Sequence, residues 1–122
     1  MHVEVRKVGD TIIVDVSGHL VAGIGDEILR DVMNELVAEN WRKILLNLSE
    51  VKRIDSAGIG ELVASSRLAG RLGSTVKLLH VRGRVRDVLE LGQVLPVFEV
   101  FDDEAEALES FAEPELSPEA ED

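Results

Sequence analysis

The strongest constraint on the fold is a short run of large aliphatic residues near the middle of the chain. Ile44-Leu45-Leu46-Asn47-Leu48 has an aliphatic side chain at every position except Asn47. Such a run is typical of a strand that is buried on both faces, inside a parallel or mixed sheet. Asp55-Ser56 follows after a polar loop, and an apolar pattern of helical period then begins. Because Asp and Ser side chains accept hydrogen bonds from the first N–H groups of a helix, this pair predicts a helix start beside a buried strand.

The start of this predicted helix has two features that bear on function. Gly58 and Gly60 lack a Cβ, so another backbone can approach the turn closely. Ser56 is followed three positions later by Ile59 instead of Glu or Gln, so the predicted cap depends on one side chain. The pattern presents a hydroxyl at the positive end of a helix, at the edge of a sheet. From the residues alone, Ser56 is either a simple helix cap or a site of chemistry.

Strand and helix patterns alternate along the rest of the chain. Two β-branched segments on either side of Gly9-Asp10 predict a hairpin, and Ser17 to Gly23 is predicted to be a loop. The predicted strands are 3–5, 11–16, 43–48, 75–81 and 97–101, and the predicted helices are 24–39, 56–72, 84–91 and 103–111, the last capped by Asp102. This order, β-β-α-β-α-β-α-β-α, predicts an α/β fold with a mixed sheet.

Length and charge predict one domain with an acidic end. The chain has 122 residues, which fits a single domain, here 1–111. The net charge of −11 is uneven, because the last 21 residues hold ten acids and no base. We expect residues 112–122 to be a disordered tail. The body has no basic stripe that would attract nucleic acid, and Arg82, Arg84 and Arg86 are interpreted as a solvated face.

Several other classes of protein are disfavoured by composition. The chain has no cysteine, and its three histidines are far apart in sequence, so neither a disulfide nor a metal site is expected. No apolar run reaches 18 residues, so no membrane span is expected, and the first residues lack the pattern of a signal peptide. The expected location is the cytoplasm.

An enzyme is also disfavoured. Asp55-Ser56-Ala57-Gly58 lacks the leading glycine of a nucleophile elbow, and the body offers no clear base with an orienting partner. His80, near a strand end, is interpreted as structural. Gly58-Ile59-Gly60 has neither the Lys of a phosphate-binding loop nor the third glycine of a dinucleotide fingerprint. We therefore expect no catalysis and no cofactor.

Asp-Ser-x-Gly-Ile-Gly at residues 55–60, placed after the Leu-Asn-Leu strand and before an amphipathic helix, resembles the STAS domain of bacterial anti-sigma factor antagonists. The resemblance covers roughly residues 3 to 111 by the order of elements. It implies helices packed mainly on one face of the sheet. It also implies that Ser56 is phosphorylated by an anti-sigma factor that is a serine kinase, and that a serine phosphatase reverses the modification. ATP would belong to the partner.

The resemblance further implies a docking face built from the loop after the second strand, the turn at Ser56 and the exposed side of the next helix. The partner-binding residues would be Gly18, His19, Leu20, Val21, Asp55, Ser56, Ala57, Gly58, Ile59 and Glu61.

Two positions depart from the family pattern. Val21 stands where many antagonists carry an Asp near the phosphoacceptor, and Ala57 leaves one acceptor hydroxyl only. The alternative function is therefore a non-switching STAS scaffold, a subunit of a lipid-transport or stress-signalling complex. Self-association also stays open at this stage.

Overall fold

The computed structural model describes residues 1–112 and has the predicted order of strands and helices. The strands are β1 (His2–Val8), β2 (Thr11–Leu20), β3 (Lys43–Ile54), β4 (Thr75–Leu79) and β5 (Val100–Phe101). The helices are α1 (Gly25–Ala38), α2 (Ser56–Arg71), α3 (Gly83–Leu91) and α4 (Glu104–Ala112), with a 3₁₀ turn at Leu95–Val97. The expectation of an α/β fold is therefore confirmed.

The five strands form one mixed sheet in the order β1-β2-β3-β4-β5. β1 pairs with β2 antiparallel through the predicted hairpin, in which Gly9 has a φ of +61°. The other neighbours are parallel, because a helix crosses over between each successive pair. The carboxyl ends of β2 and β3 consequently meet at one edge of the sheet, where α1 and α2 begin.

The sheet is covered mainly on one face. Successive side chains of a strand point to opposite faces, so Ile44 and Leu46 enter one core while Leu45 enters the other. The larger core contains the buried hydrophobic side chains of α1, α2 and α3. The smaller core consists of Ile13, Leu45, Leu79 and two residues of α4, Ala107 and Phe111. The expected placement of helices is confirmed, with α4 alone on the second face among the described helices.

Two elements differ from expectation near the site. β3 was expected to end at Leu48 and to be followed by a polar loop, but it continues to Ile54. Its second half pairs with Ser17–Leu20 of β2, which was also expected to be a loop. The two strands keep pairing across register shifts near Ser17 and His19, so tertiary pairing overrides the polar and glycine-containing local sequence.

The carboxyl end of the domain also differs. The last strand is only Val100–Phe101, because Pro96 stands in a 3₁₀ turn just before it. The predicted cap, Asp102, instead pairs with Arg82, and Asp103 accepts the N–H of Glu106 at the start of α4. α4 includes Ala112, one residue past the expected domain boundary. The predicted disordered tail otherwise concerns residues 113–122, which lie outside the described part of the chain.

Each helix within residues 1–112 is too short or too polar to cross a lipid bilayer.

Candidate functional site

Asp55 caps helix α2. Its backbone is extended, and its Oδ1 accepts hydrogen bonds from the N–H groups of Ala57 and Gly58, both at 3.0 Å. Ser56 is the first residue of the helix. The interpretation of Ser56 as the helix cap is therefore wrong, because its neighbour already satisfies the N–H groups that a cap would bind. The Ser56 hydroxyl is not needed to start the helix.

The same carboxylate fixes the loop between β2 and α1. Oδ2 of Asp55 accepts the N–H of Ala22 at 3.1 Å, and the Asp55 N–H donates to the carbonyl of Leu20 at 3.4 Å. The N–H groups bonded to the carboxylate lower the pKa of Asp55, above all that of Ala22, followed by those of Gly58 and Ala57, since each favours the charged form. One side chain thus joins the loop at residue 22 to the start of α2.

Two glycines let the starts of α1 and α2 press against the end of β2. A Cβ at Gly58 would overlap the carbonyl oxygen of Leu20, and a Cβ at Gly25 would overlap the carbonyl oxygen of His19. The predicted close approach of a second backbone is therefore confirmed at Gly58. It is wrong at Gly60, where an added Cβ would have no neighbour within 4 Å. The end of β2 therefore packs closely against the first turns of both α1 and α2.

Ser56 is exposed at the tip of this arrangement, on the first turn of α2. Its neighbours in the predicted docking face differ in accessibility. His19 is exposed, whereas Gly18, Val21, Asp55, Ala57, Ile59 and Glu61 are half-buried. Leu20 is 0% exposed, and Gly58 is buried against it. These last two residues shape the turn from beneath and do not offer side chains to a partner, which corrects their predicted role.

Glu61 is tied into the protein by two side chains. Its Oε1 accepts from Nε of Arg30 at 3.1 Å, and its Oε2 accepts from Oγ of Ser65 at 2.6 Å. Glu61 is 10% exposed, but Arg30 is 49% exposed. Arg30, which was not among the predicted partner-binding residues, is therefore the more exposed member of this ion pair. The signal for it was the spacing Asp26-Arg30-Asn34, which places these residues along one row of α1.

A shallow groove of about 270 Å³ runs between α1 and α2 beside this ion pair. It is lined by Arg30, Asn34, Glu61, Ala64, Ser65, Leu68 and Arg71. On α2 the groove begins at Glu61, five residues after Ser56.

A second open pocket, of about 470 Å³, lies at the carboxyl ends of β4 and β5. Nε of Arg82 donates to Asp102 there at 3.0 Å, which lowers the pKa of that carboxyl, and Nε of Arg86 donates to Glu90 at 2.9 Å. His80 lies beside Arg82, with 2.7 Å between Nδ1 and Nη2. All three arginines of the predicted basic cluster are exposed, and two of them pair with carboxylates of this chain.

Within residues 1–112, no three His, Asp or Glu side chains are grouped as they would need to be to hold a metal ion.

Comparisons with solved structures agree with this architecture. A candidate anti-sigma factor antagonist from Thermotoga maritima superposes with a TM-score of 0.83 at 24% identity, covering 91% of this chain and 95% of the other. An anti-sigma factor antagonist from Mycobacterium paratuberculosis gives 0.79 at 20% identity, covering 92% and 94%. The phosphorylated form of the Bacillus protein SpoIIAA gives 0.70 at 19% identity, covering 90% and 99%. At these identities the likeness establishes the fold.

A comparison with curated proteins returned no match. The model of the STAS domain family matches residues 2–107, which is most of the chain and includes every residue of the site around Ser56. The chain therefore belongs to the STAS domain family.

Proposed function

We propose that this protein is an anti-sigma factor antagonist controlled by phosphorylation of Ser56. It binds an anti-sigma factor that is a serine kinase, which releases a sigma factor in the cytoplasm. The kinase transfers a phosphoryl group to Ser56 and ends binding, and a serine phosphatase restores it. This chain performs no catalysis. The observation that carries the proposal is an exposed serine that directly follows a capping aspartate and is not needed for the cap.

The electrostatics of the turn explain how one phosphate would act. A phosphoryl group adds close to two negative charges and three acceptor oxygens. The N–H groups of Ala57 and Gly58 are already bonded to Asp55, so the phosphate finds fewer free donors than the helix start alone would suggest. Arg53 is the cation that contributes to the electrostatics of Asp55. The new charge must therefore stay in solvent beside a carboxylate or displace that carboxylate.

Either position would weaken a complex formed over the turn. Outside the helix, the phosphate brings bulk and negative charge into the interface. If it displaces Asp55 from the N–H groups, it also releases the bond to Ala22 and loosens the neighbouring loop. A tenfold loss of affinity requires only about 1.4 kcal/mol. A single repulsive charge pair in a partly desolvated interface is sufficient for that.

The proposed docking surface has three parts. The loop contributes His19, which is exposed, and Ile24, which is 68% exposed despite its apolar side chain. The turn contributes Ser56 and the half-buried Ala57. The groove beside Arg30 continues the surface along α1 and α2. Leu20 and Gly58 support these parts from below.

A second candidate function is a non-switching scaffold, as a subunit of a lipid-transport or stress-signalling complex. Val21 favours it, because many antagonists have an acid at this position near the phosphoacceptor. Val21 is half-buried, and its backbone carbonyl accepts the N–H of Asp26, a bond that any residue at this position could make. A sulfate transporter family protein from Wolinella succinogenes also superposes, with a TM-score of 0.72 at 21% identity, covering 84% of this chain and 85% of the other, so the fold also occurs outside anti-sigma factor antagonists.

The decisive experiment is incubation with ATP and a serine-kinase anti-sigma factor from the same organism, followed by mass spectrometry of the Ser56 peptide. We expect one phosphate on the wild type and none on Ser56→Ala. Ser49→Ala is the matched control, since Ser49 is exposed on β3 and should leave phosphorylation unchanged. Ser56→Asp should bind the kinase more weakly than Ser56→Ala. Equal binding of both variants, with no phosphate on the wild type, would favour the scaffold.

A further inference from the structure

We propose that the outer edge of β1 pairs with β1 of a second copy of this chain, forming an antiparallel dimer with two-fold symmetry. β1 is the first strand of the sheet, and no other strand of residues 1–112 pairs with its outer edge. It is seven residues long and contains no proline. Such an edge exposes a row of N–H and C=O groups that another strand can bind. This inference does not depend on phosphorylation of Ser56.

Backbone geometry restricts the registers that two copies of β1 can adopt. Along a strand, the N–H and C=O groups of alternate residues point to opposite sides. In an antiparallel pair, two directly opposed residues must both point their groups toward the partner or both away from it. With identical strands, residue i can therefore oppose residue j only when i + j is even. The registers that pair most of the seven residues of β1 are those centred on Glu4, Val5 or Arg6, in which that residue lies opposite the same residue of the other copy.

Charge selects one of these registers. Centring the pair on Glu4 or on Arg6 would place two like charges directly opposite each other, which destabilises a sheet. Centring it on Val5 opposes each Glu4 to Arg6 of the other copy, twice by symmetry. In that register Val3 opposes Lys7 and His2 opposes Val8, so all seven residues of β1 are paired. In this register the charges of Glu4 and Arg6 on one copy are therefore complementary to those of Arg6 and Glu4 on the other.

The side chains on β1 are available for this pairing. Glu4 is 72% exposed, and within the described part of the chain the one side chain placed to pair with its carboxylate is the imidazole of His2, at 3.7 Å. Arg6 keeps 41% of its side chain exposed while it bonds to Asp15 and, at 2.8 Å, to Glu104. Val5 opposes the buried Val14 of β2 yet is itself 49% exposed. A second β1 would give Glu4 an arginine partner and cover Val5.

Both copies would then contribute to one continuous sheet. Opposed residues are both even-numbered or both odd-numbered, and opposed side chains point to the same face of the sheet. The helices α1, α2 and α3 of the two copies therefore lie on the same side of the joined sheet. A single isologous strand pair of this kind is a small interface, and we expect the dimer to form at high protein concentration and to weaken with salt.

Cross-linking tests the register directly, because the chain has no cysteine of its own. In a Val5→Cys variant the two Cβ atoms would lie about 5 Å apart, near disulfide distance. In the matched Val8→Cys variant the two cysteines would be six positions apart along the strand, about 20 Å. We expect mild oxidation to give a disulfide dimer of Val5→Cys only. Equal cross-linking of the two variants, or none of either, would overturn the proposed register.

Charge exchange tests the ion pairs, with sedimentation velocity as the assay and the monomer mass of 13.4 kDa as the reference. Glu4→Arg alone and Arg6→Glu alone should each raise the dissociation constant by roughly tenfold to a hundredfold, since attraction becomes repulsion in two pairs. An equimolar mixture of the two variants should recover the dimer, because every opposed pair is then of opposite charge. Glu39→Arg makes the same change in net charge as Glu4→Arg, at the exposed residue that follows α1, and should dimerise like the wild type.

Circular dichroism of each variant separates lost pairing from lost folding, since Arg6 also bonds within its own chain. A wild type that stays at 13.4 kDa at all concentrations would refute the proposal. Failure of the mixture to dimerise, with both variants folded, would refute it as well.

Discussion

Replacement of Gly58 by alanine tests how the site is built. The added Cβ would overlap the carbonyl oxygen of Leu20 and lie 2.9 Å from Cγ1 of Ile54. A backbone oxygen in the sheet cannot rotate away as a side chain can, so either α2 or the end of β2 must move. Forced overpacking of this kind costs about 1–3 kcal/mol in a well-packed interior. The same movement would lengthen the bonds of Asp55 to Ala22 and Gly58.

Gly60→Ala is the matched control, two residues further along the same helix. Its Cβ would meet nothing within 4 Å, and it lies in the helix interior. Alanine is favoured over glycine there by about 0.5–1 kcal/mol. Since the same preference applies at Gly58 and cancels between the two variants, their free energies of unfolding should differ by the overpacking cost alone, about 1–3 kcal/mol. For a domain of this size, 1 kcal/mol corresponds to about 4 °C in Tm.

Urea and thermal denaturation monitored by circular dichroism would measure this difference. We expect Gly58→Ala to melt about 4–12 °C below Gly60→Ala, with Gly60→Ala slightly above the wild type. Gly58→Ala should also bind the proposed kinase partner less well, because the turn that presents Ser56 is displaced. If the two variants had the same stability, the close packing of α2 against the carbonyl of Leu20 would be refuted.

Three further substitutions have expected outcomes. Folding lowers the pKa of Asp55 below its ordinary value of 3.8. The carboxylate of Asp55 therefore contributes fully to stability above pH 3.8, and this contribution is lost as the pH falls through the lower pKa of the folded state. Asp55→Asn should therefore be less stable than the wild type at neutral pH, with the difference shrinking below about pH 4 in urea titrations; a constant difference would contradict this. Leu20→Ala should cost about 2–5 kcal/mol, because the side chain is 0% exposed, whereas the exposed His19→Ala should change urea stability by less than about 0.5 kcal/mol. Lys77 is 9% exposed and pairs with Glu99, and its Nζ lies 4.6 Å from the centre of the Phe111 ring. Lys77→Ala should therefore speed amide hydrogen exchange in α4. Lys77→Met keeps the apolar contacts and should speed this exchange much less.

Periodicity predicted most of the fold because the elements that it identified are stabilised locally or by simple burial. The aliphatic residues of β3 are buried on both faces, so their composition alone indicates a central strand. The second half of β3 is polar, and it is a strand only because β2 lies beside it. A local pattern contains no information about that neighbour, so the extension to Ile54 was not predicted.

The site was predicted in position but not in detail. Asp55 and Ser56 are both common cap residues, and the choice between them depends on which residue is still extended. That is settled by the bond from Asp55 N–H to Leu20, a residue of a different strand. The pairing of Glu61 with Arg30 similarly requires the packing of α1 against α2. Contacts between elements far apart in sequence decide such details.

The separate position of α4 has a practical consequence for experiments on living cells. α4 packs against the face of the sheet that is opposite to α1 and α2, through a small core of its own. A fluorescent dye attached to an exposed residue of α4, such as Glu109, would therefore lie on the face of the sheet opposite to the helix that carries Ser56. Such a label should allow binding of the proposed kinase partner to be imaged without obstructing it.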